Sequence, residues 1–207
     1  MRTRGFFLTL EGPEGSGKSS QARWLVQALH REGHPVVFVR DPGSTALGKR
    51  LRTVLLHAHL KELRPLAEAL LFIAGRIQLV EERITPALRA GCLVVCDRFH
   101  DATVSYQGFG GELDVNWLDR LGRTAIGQVM PDLTFLLDVP VRIGLARVKG
   151  PKDRMERKAL TFHQRVLHGY RQLARREPRR FVVLDATQPP ALVRQQMLRT
   201  VWKRLRR

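Results

Sequence analysis

No stretch of this sequence approaches the roughly 20 consecutive apolar residues that cross a bilayer. A spanning helix is therefore excluded as its organising element. Cysteine is nearly absent, with only Cys92 and Cys96. Four positions apart on an apolar run, they share one face of a strand but stand too far apart to bridge. With no second pair there is no zinc site to expect, and both are expected to be reduced and mostly buried. Internal repeats and low-complexity linkers are lacking too. Aromatic residues make up 7% of the chain, and they do not interleave with the basic clusters as a stacking platform for single strands requires. Acidic side chains are scarce, 19 against 36 Lys and Arg, giving a net charge of +17. Binding several phosphate groups needs only part of that excess. The remainder reads as surface bias or as a nucleic-acid footprint. Non-specific adhesion to polyanions at low salt is the expectation, with no specific nucleic-acid partner and no membrane. Met1-Arg2-Thr3-Arg4-Gly5 leads directly into the first apolar run, leaving no room for a cleavable signal, so a cytoplasmic location is expected.

What is present centres on residues 12–19, Gly-Pro-Glu-Gly-Ser-Gly-Lys-Ser. They fit the pattern G-x-x-x-x-G-K-[ST], in which glycines let backbone N–H groups turn inward around a phosphate. In that reading Gly12, Pro13, Glu14, Gly15, Ser16, Gly17, Lys18, Ser19 and Ser20 form the ATP-binding loop. Lys18 supplies a point charge, and the Ser19 hydroxyl can ligate Mg²⁺. The context supports it. Phe6–Leu10 reads as a strand before the loop, and Ala22, Leu25, Val26 and Leu29 recur at helical spacing after it.

Further apolar runs, Val36–Arg40, Leu93–Asp97, Leu133–Val139 and Phe181–Asp185, also read as buried strands. Helical stretches separate them, at 44–59, 66–88 with an interruption near Pro86, 160–176 and 190–207. Such alternation predicts an α/β protein with a parallel sheet covered on both faces, and one domain over 1–207. Ligands of these sheets sit beyond the carboxyl ends of the strands. Arg40-Asp41-Pro42-Gly43 predicts a tight corner there. Asp97 is the expected Mg²⁺-side carboxylate, and the adjacent Arg98 can clamp a phosphate bidentately; an Asp97–Arg98 ion pair that fixes the loop is the alternative. Phe72 and Arg76, four apart, can present a ring and a guanidinium to a base. On the residues alone a core Phe and a surface Arg is preferred. Thr103 and Gln107 share a helix face, where polar groups satisfying backbone are the default. Residues 149–154, charged and glycine-containing, predict a mobile flap.

As an ordered set these residues resemble the thymidylate kinase family, the bacterial dTMP kinases. The resemblance runs from Thr9-Leu10-Glu11-Gly12-Pro13-Glu14-Gly15-Ser16-Gly17-Lys18-Ser19 through Arg40-Asp41-Pro42-Gly43, Leu71-Phe72 with Arg76, and Asp97-Arg98-Phe99 to Tyr106-Gln107-Gly108. It continues through Pro131-Asp132-Leu133, Asp138-Val139 and Asp153-Arg154-Met155-Glu156 to Asp185-Ala186-Thr187. It implies a three-layer P-loop NTPase fold with a five-stranded parallel sheet in the order 2-3-1-4-5, a short lid at about 147–157, and a homodimer. It implies phosphorylation of dTMP to dTDP with ATP and Mg²⁺, a step of dTTP synthesis. Phe72 then resembles the ring that stacks on thymine and Arg76 its carbonyl donor. Thr103 and Gln107 resemble base-edge and pocket contacts, and Arg98 with Arg52 the clamp on the acceptor phosphate. Glu14 resembles the carboxylate near the 3′-hydroxyl, Tyr106 the residue crowding the 2′ position, and Ala186-Thr187 the adenine-side loop.

No basic residue occupies positions 13–16, so the resemblance moves the remaining catalytic charge to the lid, with Arg154 first, Arg147 second, and Lys149 and Lys152 also available. Lys18, Arg98, Arg154 and Arg147 are the expected catalytic cations. The chain departs from the family's usual residues at Asp41, Ser44, Gly75, Ala102 and Gly111, and its lid is a couple of residues short. Selection against dUMP rests on one methyl, about 1–3 kcal/mol, so some dUMP use is expected. The alternatives are another deoxynucleoside or nucleoside monophosphate kinase, or a catalytically weakened, polyanion-binding P-loop protein.

Overall fold

β-Branched and other apolar residues dominate the segments Phe6–Glu11 (β1), Val36–Arg40 (β2), Leu93–Asp97 (β3), Leu133–Asp138 (β4) and Phe181–Asp185 (β5). Runs of this kind suit strands buried on both faces. The computed structural model describes residues 5–57, 63–127 and 129–206. In it the strands form one sheet in the order β2-β3-β1-β4-β5, with every neighbouring pair parallel. The order matches the expectation.

The helices are α1 (Lys18–Arg31), α2 (Ala46–Arg52), α3 (Pro65–Leu79), α4 (Thr85–Arg89), α5 (His100–Thr103), α6 (Val115–Ala125), α7 (Val141–Arg147), α8 (Leu160–Arg176) and α9 (Pro190–Leu205). Wider π-type turns extend α2 over Thr53–His57, join α3 to α4 over Val80–Ile84, and continue α5 over Val104–Gly110. The expected helix at 44–59 is thus capped by Thr45, whose hydroxyl accepts from the Gly48 N–H at 2.9 Å, and positions 58–59 lie outside the described residues. Near Pro86 the expected interruption is a widened turn and no break. Val80, Ile84 and Thr85 keep right-handed helical angles, and a wide turn accommodates the hydrogen bond that proline removes.

Alternation along each strand fixes the layers. Leu8 and Leu10 of β1 face Leu25 and Leu29 of α1 and Val193, Met197 and Val201 of α9. Phe7 points to the opposite face, with Leu79, Ile84 and Leu88 of the α3–α4 rod. On that side α8 contributes Val166, Tyr170 and Leu173 to a further cluster with Tyr106. Cys96 is buried, Cys92 partly so, and neither is paired. No helix among the described residues is long and apolar enough to cross a membrane.

Register places the chemistry. Leu10 pairs with Asp97, and Arg40 pairs with Asp97 from the other side. The polar residues that end β1, β2 and β3 therefore emerge together at one edge, above the core.

Candidate active site

The glycine loop leaves β1 at Gly12, whose φ of 143° is open to glycine alone. A Cβ there would lie 2.5 Å from the Leu137 carbonyl oxygen. Gly15 is still tighter, since a Cβ would meet the Gly144 carbonyl at 1.8 Å, so α7 presses directly on the loop. The loop feeds α1, whose first residue is Lys18. Lys18 Nζ donates to the Pro13 carbonyl at 2.6 Å and to Ser16 Oγ at 3.1 Å. Burial pushes its ammonium down to about 8, with Arg98 adding to the fall and Glu14 and Asp97 opposing it. Ser19 Oγ donates to Asp97 Oδ2 at 2.5 Å.

A cleft of about 720 Å³ opens beside this loop. Glu14, Gly15, Gly17, Lys18, Ser19, Ser20 and Asp97 line its donor wall. Arg52, Phe72, Arg76, Arg98, Thr103, Tyr106 and Gln107 line the other. Gly12, Pro13 and Ser16 belong to the loop but are not among the residues lining the cleft. Arg147 Nη1 donates to the Ala186 carbonyl at 2.8 Å, and Thr187 bonds Asp185, so these residues form a separate edge beside β5.

Arg98 has the left-handed φ of 67°, a conformation that costs a side-chain-bearing residue about 1–3 kcal/mol. Charge-assisted hydrogen bonds offset it. Nη1 donates to the Gly12 carbonyl and to Tyr170 Oη, each at 3.1 Å. Nη2 donates to Glu14 Oε1 and Tyr106 Oη, each at 3.0 Å. Both terminal nitrogens are thus engaged by protein acceptors. Arg98 offers a fixed charge and its Nε–H. The alternative Asp97–Arg98 pair is also absent, because Asp97 pairs with Arg40, Nε to Oδ2 at 3.2 Å.

Glu14 accepts from Tyr106 Oη as well, at 2.6 Å. Burial alone would raise the Glu14 carboxyl, but Arg98, Lys18 and that hydroxyl outweigh it and hold the group at about 2. Behind them Glu11 accepts from the Phe99 N–H at 2.7 Å and from Tyr170 Oη at 2.9 Å. Burial, with the Asp101 charge, pushes the Glu11 carboxyl well above the usual range.

Arg76 is 1% exposed, which overturns the surface-arginine expectation. Its Nε donates to Asp41 Oδ2 at 2.5 Å and its Nη2 to Thr103 Oγ1 at 2.8 Å. Its Nη1 is buried and without a partner among the described residues, a spare donor in a wall that Phe72 also lines. The Asp41–Pro42 peptide in the expected corner is cis. Gly75, one of the departures, fits because a Cβ would lie 3.2 Å from Leu51 of α2.

Gln107 Nε2 donates to Glu68 Oε1 at 2.6 Å. The other Glu68 oxygen accepts from Arg154 Nη2. Arg154 Nε donates to the Leu55 carbonyl at 2.7 Å, and the guanidinium is not among the groups lining the cleft. Only part of the lid is exposed. Residues 149–152 are, but Met155 is 4% exposed in the Leu55–Leu56–Tyr106 cluster. Asp153 Oδ1 accepts from the Met155 and Glu156 amides at 2.8 and 2.9 Å. The expected flap at 149–154 is therefore docked at its second end, while Val148 and Lys149 line the cleft.

Arg40, Glu11, Tyr170 and Glu68 are the site residues that sequence reasoning passes over. Arg40 and Glu11 carry a signal, a charged residue closing an apolar strand. Tyr170 and Glu68 carry none, because each meets its partners only through the fold.

The family model for thymidylate kinase matches residues 10–197. The chain is 45% identical over 205 residues to a thymidylate kinase of Thermomicrobium roseum, covering 98% of this chain and 97% of that one. It is 47% identical over 199 residues to that of a Synechococcus species, covering 96% and 95%. Its fold matches the crystal structure of thymidylate kinase from Ehrlichia chaffeensis with a TM-score of 0.79 at 31% identity, covering 96% and 98%. Sheet order, phosphate loop and sequence agree: the chain belongs to the thymidylate kinase family.

Proposed function

We propose that this protein transfers the γ-phosphoryl group of ATP to dTMP. An oxygen of the dTMP phosphate attacks the γ-phosphorus and the bond to the bridging oxygen breaks, giving dTDP and ADP. The acceptor oxygen needs no general base, so the protein's work is positioning and charge stabilisation. The observation that carries the reading is the two-sided cleft, with a phosphate loop on one wall and Phe72 with the spare Arg76 donor on the other.

Lys18 exchanges the loop's own oxygens for those of the donor phosphates. Arg98 holds a fixed charge beside them, while Arg40 and Arg52 approach the acceptor phosphate. Phe72 stacks on the base, Arg76 Nη1 donates to a base carbonyl, and Thr103 and Gln107 close the pocket. Glu14 lies by the sugar, with Tyr106 beside it. Ala186 and Thr187 line the adenine edge, and Arg147 braces it through Ala186. Ser19 and Asp97 fit Mg²⁺, since both offer the hard oxygen donors that ion prefers, beside the phosphate loop. The ion would neutralise charge on the donor phosphates.

For the remaining charge the geometry shifts weight from Arg154, held on Glu68, to Lys149, which lines the cleft. A homodimer is supported by Leu66 and Leu70, which are exposed four apart on α3. A cytoplasmic location suits the unpaired Cys92 and Cys96. Phosphorus NMR of an incubation with ATP, dTMP and Mg²⁺ tests the reading: dTDP and ADP in equal amounts are expected. ADP with inorganic phosphate and no dTDP would contradict it.

A further inference from the structure

We propose that Glu68 is a positioning residue that ties the base side of the acceptor pocket to the lid. Its place on α3 is one turn before Phe72, and it is 5% exposed. A carboxylate so buried needs partners for both oxygens. One accepts from Gln107 on the pocket wall, and the other from Arg154 at the docked end of the lid. The lid reaches this anchor by its backbone too, since the Arg154 N–H donates to the Leu56 carbonyl at 3.1 Å. Arg154 Nε donates to the Leu55 carbonyl. Three segments far apart in sequence therefore meet on one carboxylate.

The consequence is mechanical. Gln107 has its amide N–H committed to Glu68, which fixes the orientation it presents to the cleft. Any ligand that pulls Gln107 pulls on the oxygen pair that also holds Arg154. Lid position and acceptor occupancy are coupled through Glu68. This assignment rests on the proposed acceptor reading for Gln107. The link between Glu68 and the lid does not, and it can be read in the ligand-free protein.

Amide hydrogen exchange of residues 153–158 is the test, on wild type, Glu68→Gln, Arg154→Met and the double variant, each first checked for a cooperative thermal transition. Both single variants are expected to speed exchange there at least about tenfold, the scale of one charge-assisted hydrogen bond. The double variant should be no faster than either single one. The kinetic counterpart is a rise in the dTMP KM of about tenfold for Glu68→Gln, with the ATP KM unchanged. Glu68→Asp is expected to restore part of it. Unchanged exchange in either single variant, or effects that add in the double, would overturn the link. An equal rise in both KM values would overturn the positioning role. Failure of the acceptor reading shows separately, as absence of dTDP formation by the wild type.

Discussion

The two walls of the cleft are built on different principles. Apart from Asp97 and the partners of Glu14, the donor wall is local. Residues 12–19 run from β1 into α1, and their shape follows from glycine angles and a close approach to Gly144. The acceptor wall is assembled from distant pairs: Asp41 with Arg76, Arg76 with Thr103, Gln107 with Glu68, and Glu68 with Arg154. A local wall is fixed by backbone sterics and tolerates loss of one side chain without collapsing. A wall of buried ion pairs is not so protected, because removing one partner strands the other in low dielectric.

The largest expected effect comes from the donor wall and is chemical. Lys18→Ala should lower kcat by about 10³-fold with an unaltered thermal transition, since it removes a preorganised charge but no fold element. Loss of folding in that variant would break the contrast. On the acceptor wall, Asp41→Asn should destabilise the protein by about 3–5 kcal/mol, because Arg76 is buried and loses its counter-ion. Urea unfolding measures this. A midpoint like that of the wild type would mean that the pair contributes nothing net.

The lid sharpens the comparison, since Lys149 lines the cleft while Arg154 is held on Glu68. Lys149→Ala should lower kcat by about 100-fold, as loss of a donor at the transferring group does. Arg154→Ala should act mainly on the dTMP KM. Steady-state kinetics separate them, and the reverse pattern would return the catalytic charge to Arg154.

The smallest effect is the pH dependence of the donor wall. Burial pushes the Lys18 ammonium down to about pH 8. Bound phosphate favours the protonated form, so ATP binding above that pH takes up a proton and weakens as pH rises. One unit above, at pH 9, affinity should fall by about tenfold relative to pH 7. Titration calorimetry in buffers of different ionisation enthalpy reads both the affinity and the proton. A flat profile to pH 9 would show that Lys18 stays charged.

Legibility in the sequence follows the same division. Phosphate loop and strands were within reach because glycine pattern and apolar runs are short-range, whereas the sheet order rested on the family resemblance alone. Asp114 caps α6 by accepting from the Trp117 N–H at 2.9 Å. α7 has no comparable cap signal. Arg154 shows the limit. Its setting in Asp-Arg-Met-Glu places it in the lid, but its direction depends on Glu68, 86 positions earlier. No window of local pattern carries that. Likewise Arg76 reads as a surface residue until Asp41 and Thr103 are brought around it.

The measurement that bears most directly on the account is the initial rate of ADP release from ATP and Mg²⁺ with a panel of acceptors: thymidine, dTMP, dUMP, dCMP and dGMP. The proposed cleft, with the acceptor phosphate near Arg40 and Arg52 and thymine beside Phe72 and Arg76, predicts dTMP as the fastest acceptor, dUMP as a slower one, and thymidine as inactive or nearly so. Faster turnover of thymidine than of dTMP would contradict it.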